Sequence, residues 1–185
     1  MKMKLPSNVF LVGFMGSGKT TTGKELAKML GFRFLDTDQL IEQTSGKEIK
    51  AVFEEKGENY FRSEESRIIK SLNTKKNYVI STGGGAWLFE ENRVELLKSG
   101  WCVWLKVSPE KALKRLGAHI HLRPLLASSA DPLKTIKALL SERDKIYSIA
   151  HTSIDTNDKN PKEVAFEIIK KLKEEKPIDL PPMQE

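Results

Sequence analysis

An α/β fold, a parallel sheet layered between helices on both faces, follows from three features of the sequence. Short apolar runs alternate with longer helical patterns, the signature of βαβ units. The apolar runs lack two-residue alternation, as strands covered on both faces do. A glycine-rich turn ending in lysine separates the first run from the first helical pattern.

The strand candidates are residues 8–13, 32–36, 78–82, 101–107 and 152–156. The first helix is predicted over residues 19–30, stopped by Gly31. Further helical patterns cover residues 49–56, 59–73, 90–98, 109–116, 132–150 and 161–173. Three of these open at Pro109, Pro132 and Pro161, the favoured first helical position. Residues 117–131 are polar and read as irregular. Residues 1–176 therefore form one expected domain, with a lid at about 115–131 and a disordered tail at 177–185.

Composition narrows the function classes. The chain of 185 residues carries a net charge of +6, yet its lysines are dispersed among glutamates along helical stretches, as in Lys24, Glu25 and Lys28. That pattern reads as solvated helix faces rather than a nucleic-acid surface, and an electropositive cleft for small anions is the better use of the excess. No apolar run is long enough to span a membrane, and no leader-like apolar segment follows the first lysines. The single Cys102 leaves no intramolecular disulfide and suits the cytoplasm. A monomer is expected, with small molecules as its partners.

Gly13–Thr20 reads GFMGSGKT, a full G-x-x-x-x-G-K-[ST] match placed after an apolar strand and at the start of a helix. Glycines let backbone N–H groups turn inward around phosphate oxygens, and the helix N-terminus adds partial positive charge. Lys19 supplies a mobile cation, and the Thr20 hydroxyl suits Mg²⁺. These features predict a P-loop nucleoside triphosphate site.

Three further motifs fall where ligands bind in open α/β sheets, beyond the carboxyl ends of strands. Asp36 and Asp38 close the second strand as DTD; one acid can serve a metal and the other an acceptor hydroxyl, or Asp38 simply caps the next helix. Arg62 follows the aromatic Phe61 and can face a small carboxylate, or it forms a surface helix pair with Glu65 or Ser66. Ser81–Gly85 reads STGGG after the third strand, and three glycines in a row signal close approach to the backbone, with a flexible turn as the plainer reading.

Taken together these motifs resemble the shikimate kinase family. The resemblance rests on GFMGSGKTTTGKELA, on DTD through Ile41, Glu42, Gly46, Phe53 and the FR pair with a glutamate three beyond, on STGGG, on Arg123-Pro124-Leu125-Leu126, and on Arg143 with Tyr147 and Ala150. It spans roughly residues 8–170. It implies a nucleoside monophosphate kinase-like fold with a five-stranded parallel sheet. The activity implied is transfer of the ATP γ-phosphoryl to the 3-hydroxyl of shikimate, on the way to chorismate and the aromatic amino acids.

Carried over residue by residue, the resemblance implies that Gly13, Gly16, Ser17, Gly18, Lys19, Thr20 and Thr21 bind ATP. Thr20 and Asp36 would serve Mg²⁺, and Asp38 would contact the acceptor hydroxyls as base. Arg62 and Arg143 would grip the shikimate carboxylate, Gly84 and Gly85 would approach the substrate through their backbone, and Phe53 and Phe61 would wall its pocket. Arg123 would be the lid arginine, and Asn157 would lie in the adenine loop. At an ordinary carboxylate pKa of about 4, Asp38 would be ionised at neutral pH.

The chain departs from the family pattern at one point. Family members often carry an adenine-stacking arginine seven residues before the lid arginine, a place held here by Leu116; Arg115 lies one residue further away and the lid is one residue longer. His119 and His121 read as lid-surface residues, and Trp87, Trp101 and Trp104 as packing. The rival readings are a gluconate or nucleoside monophosphate kinase of the same fold, and a nucleotide-binding regulatory module without catalysis.

Overall fold

The computed structural model describes residues 6–127 and 129–175; the expected tail at 177–185 lies outside the described residues. Five parallel strands, β1 (Asn8–Val12), β2 (Arg33–Asp36), β3 (Tyr78–Ser81), β4 (Trp101–Lys106) and β5 (Thr152–Asp155), lie in the order β2-β3-β1-β4-β5. Register places Phe10 between Ile80 and Cys102, and Val9 between Val79 and Trp101.

All five residues of β1 are buried. Val9 and Leu11 face a cluster with Leu26 and Leu30 of α1 (Lys19–Leu30) and with Ile168 and Leu172 of α8 (Pro161–Glu175). Phe10 and Val12 face the opposite cluster, with Ile69, Trp87, Leu96, Ala112, Ile136 and Tyr147. Continuous apolar runs in the strands thus serve two cores at once, which is why alternation was absent. Trp87, Trp101 and Trp104 are all buried, as their reading as packing residues requires.

The remaining helices are α2 (Thr37–Ser45), α3 (Ile49–Ser71), α4 (Glu90–Ser99), α5 (Pro109–Leu116), α6 (Pro124–Ala127) and α7 (Pro132–Tyr147). Three differences from the sequence reading have physical causes. Helix α2 stood outside the predicted set because its apolar signal is thin: only Thr37 and Ile41 are buried. The two helices expected at 49–56 and 59–73 are arms of α3, broken at Gly57, whose φ of 77° and ψ of 170° leave the helical region. The stretch expected to be irregular contains a 3₁₀ segment, Gly117–Leu122, followed by α6. Among the described residues no helix is long and apolar enough to cross a membrane.

Candidate active site

The loop between β1 and α1 curls over the carboxyl edge of the sheet. Gly16 and Gly18 adopt φ of 78° and 86°, backbone that favours glycine, and Gly18 stands at the N-cap of α1. The buried Lys19 side chain returns across the loop and donates to the carbonyls of Gly13 at 2.8 Å and Phe14 at 3.0 Å. Burial lowers its pKa to about 8, against the raising influence of Asp38 and then Asp36. A cation so desolvated gains strongly from a phosphate group. The Ser17 hydroxyl is buried without a hydrogen-bond partner, and Thr21 donates to Gly18 at 3.1 Å.

Thr20 at the start of α1 donates to Asp36 Oδ2 at 2.7 Å, which joins the phosphate loop to the end of β2. The other oxygen of Asp36, Oδ1, accepts the Asp38 backbone N–H at 3.0 Å. Asp36, and not Asp38, therefore caps α2, so the plainer reading of Asp38 falls away. Released from capping, Asp38 has a buried Oδ1 with no hydrogen-bond partner. Burial and then the Asp36 charge raise its pKa to about 6, against the lowering influence of Lys19 and Arg123. The ordinary value expected from sequence is thus corrected upward, and the group is still mainly ionised at neutral pH.

The STGGG turn is fixed on both sides. Gly83 N–H donates to Thr37 Oγ1 at 2.9 Å, Gly84 carbonyl accepts from Tyr147 Oη at 2.7 Å, and Trp87 Nε1 donates to the Ile146 carbonyl at 2.9 Å. The flexible-turn reading does not describe it. Close approach is what the glycines supply: a Cβ on Gly85 would lie 2.6 Å from Arg62 Nη1, and one on Gly83 would lie 2.6 Å from Glu65 Oε1 and 2.7 Å from Asp38 Oδ1.

Arg62 therefore lies against the turn with its side chain one-fifth exposed (20%). It does form the predicted pair with Glu65, Nη1 to Oε2 at 2.9 Å, and a second with Glu58 at 3.1 Å. Glu65, however, is fully buried, so this is no surface pair. Rings of Phe61 and Phe89 stand 5.2 and 5.3 Å from the guanidinium carbon. Phe53 and Phe61 pack at 4.5 Å in one small cluster. Arg143 sits over the Phe14 ring at 5.6 Å, and its charge acts on Tyr147, whose hydroxyl donates to the Gly84 carbonyl of the turn. Arg123 is exposed, and its charge acts on both Asp38 and Lys19.

Two placements go beyond the sequence reading. Arg115 donates to the Gly16 carbonyl at 3.2 Å and to Thr156 Oγ1 at 3.0 Å, tying the phosphate loop to the loop after β5. It lines a small cavity with Thr21, Thr156, Lys159 and Pro161. Asn157 is not brought there: its Oδ1 accepts from Ser108 N–H at 2.7 Å, and it lines a separate cavity of about 420 Å³ beside α7. The contact of Arg115 with Thr156 carries no local sequence signal, because it joins segments distant in the chain.

Comparison with known proteins agrees with this geometry. A family model described as shikimate kinase matches residues 15–173. The shikimate kinase of Persephonella marina is 45% identical over 166 residues, covering 90% of this chain and 99% of that protein. That of Moorella thermoacetica is 46% identical, covering 91% and 96%. A solved shikimate kinase from Acinetobacter baumannii, in complex with shikimate, superposes with a TM-score of 0.88 at 38% identity, covering 94% of this chain and 96% of that one. A gluconokinase from Sinorhizobium meliloti, 18% identical with a TM-score of 0.56, covers 92% of this chain and 94% of its own and shares the fold alone. With a phosphate loop, a buried carboxylate oxygen left without a partner and Arg62 against the glycine turn, and with relatives matched across nine-tenths of its length, the chain belongs to the shikimate kinase family.

Proposed function

We propose that the protein transfers the γ-phosphoryl group of ATP to the 3-hydroxyl of shikimate, giving shikimate 3-phosphate and ADP. The observation that carries this reading is the buried, partnerless Asp38 Oδ1, which lies at the glycine turn within the electrostatic reach of Lys19. A carboxylate with no donor of its own is open to a substrate hydroxyl.

In the transfer the new bond forms between O3 and the γ-phosphorus while the bridge to the β-phosphate breaks, and the O3 proton passes to Asp38. Little covalent work falls to the protein, so alignment and charge decide the rate. The phosphate loop of residues 13–20, with Lys19, holds the phosphates; Arg123 covers the transferred group. Arg62 and Arg143 take the substrate carboxylate between them, while Gly84 and Gly85 approach the ring through their backbone. Phe53 and Phe61 wall the pocket. The adenine lies toward the cavity of Arg115, Thr156 and Pro161.

Thr20 and Asp36 fit Mg²⁺, since their hydrogen bond brings a hydroxyl and a carboxylate together at the phosphate loop, the oxygen donors that ion takes beside phosphate. When bound, Mg²⁺ offsets negative charge on the phosphates.

The test is ADP release with Mg²⁺-ATP across an acceptor panel of shikimate, quinate, gluconate and nucleoside monophosphates. Release dependent on shikimate supports the reading. Release with another acceptor overturns the assignment of the carboxylate pocket.

A further inference from the structure

The buried Glu65 carboxylate has a use that holding Arg62 does not exhaust. Residues 58, 62 and 65 share one face of α3, so the Arg62 guanidinium already carries two carboxylates: Glu58 Oε1 on Nε and Nη2 at 3.2 and 3.1 Å, and Glu65 Oε2 on Nη1 at 2.9 Å. A substrate carboxylate placed on Arg62 becomes the third. The three acids are not equivalent. Glu58 is 57% exposed in its side chain and can turn to water. Glu65 is 0% exposed, and its Oε1 has no hydrogen-bond donor. Gly83, whose added Cβ would lie 2.6 Å from Glu65 Oε1, gives its N–H to Thr37 instead.

We propose that Glu65 is a proton-binding positioning residue: seating the substrate carboxylate on Arg62 drives uptake of one proton from solvent onto Glu65. The idea rests on the shikimate reading of the pocket. A second or third negative charge in a water-free pocket is costly, and neutralising the one group that cannot reach water is the least expensive relief. The proton goes to Oε1, the free oxygen. Oε2 then still accepts from Arg62 Nη1, so the guanidinium keeps its position while its full charge turns to the substrate.

The charged groups that act on Glu65 are Arg62 and Glu58 from its own helix and Asp38 from α2. Asp38 in turn faces Asp36 and Glu42, and the cations Lys19 and Arg123. Burial raises the Glu65 pKa to about 7 even against Arg62, so a further negative charge moves it through the neutral range.

The test is calorimetric titration of the full chain with shikimate, without ATP, at about pH 8 in HEPES and in Tris, whose ionisation enthalpies differ. The observed heat should depend on the buffer with a slope equal to uptake of about half to one proton per site. Glu65→Gln, which keeps the shape and an acceptor for Arg62, should bind within about tenfold of the unaltered chain with no buffer dependence. Glu58→Gln should retain the uptake. Shikimate binding without buffer dependence in the unaltered chain overturns the proposal, and so does an undiminished slope in Glu65→Gln. Absence of binding in either buffer overturns the shikimate reading itself, and the linkage with it.

Discussion

Asp36 holds the helix that carries Asp38: its Oδ1 accepts the Asp38 N–H at 3.0 Å, while Asp38 Oδ1 accepts nothing. One oxygen of Asp36 caps the helix, and the neighbour two residues on is left free of that task. Asp38→Asn keeps the shape and removes the base. We expect kcat to fall by about 10² to 10⁴, the range typical of general-base catalysis, with Tm unchanged or slightly raised because a buried charge beside Asp36 is lost. Steady-state kinetics with a thermal melt checks both parts.

Lys19→Ala removes the cation that now spans the carbonyls of Gly13 and Phe14. Turnover should be abolished while the fold survives, because two backbone carbonyls at a polar site can be hydrated in its place. A near-normal kcat in that variant contradicts the phosphate-loop assignment.

Gly85→Ala separates binding from stability. The backbone at Gly85 has φ −98° and ψ −15°, which alanine adopts freely. The added Cβ would meet the guanidinium end of Arg62 at 2.6 Å, a flexible tip that swings aside, and at about pH 6 the buried Glu65 it leaves behind takes up a proton, which limits the cost to the fold. Tm should stay within a few degrees of the unaltered chain, the shift produced by about 1 kcal/mol in a domain of this size. The shikimate KM should rise about tenfold or more, with the ATP KM unchanged.

Glu65 makes the stability of the fold depend on pH in a stated direction. Its pKa is raised on folding from 4.5 to about 7, by burial above all, so the native state binds the proton more tightly than the unfolded chain. The contribution is fully present below about pH 4.5 and is lost as pH rises through about 7. The Tm of the unaltered chain relative to Glu65→Gln should therefore fall across that window, and a flat difference contradicts the burial of the ionised group.

Arg115→Ala should raise the ATP KM and leave the shikimate KM nearly unchanged, because Arg115 braces the Gly16 carbonyl and Thr156 on the nucleotide side. Equal effects on both substrates contradict that placement.

What sequence revealed of this fold was whatever is written locally. Helices α1 and α5 have the predicted bounds, since Gly31 stops the one and Pro109 starts the other. The phosphate loop and DTD stand next to each other in chain order and in space. Long-range placement was illegible. A glutamate three residues after an arginine reads as a surface ion pair, and nothing near Glu65 announces that residues 83–85 will cover it. Arg115 likewise acquires its role from Thr156, 41 residues away. The burial that raises the Asp38 pKa comes from the same convergence of segments.

The most direct test of the central claim is to identify the product. Phosphorus and proton NMR of the reaction with Mg²⁺-ATP and shikimate should show one phosphate ester, coupled to the proton on carbon 3, for each ADP formed. ADP formed with inorganic phosphate alone, or an ester on a different hydroxyl, would contradict the placement of Asp38, Arg62 and the glycine turn around that acceptor.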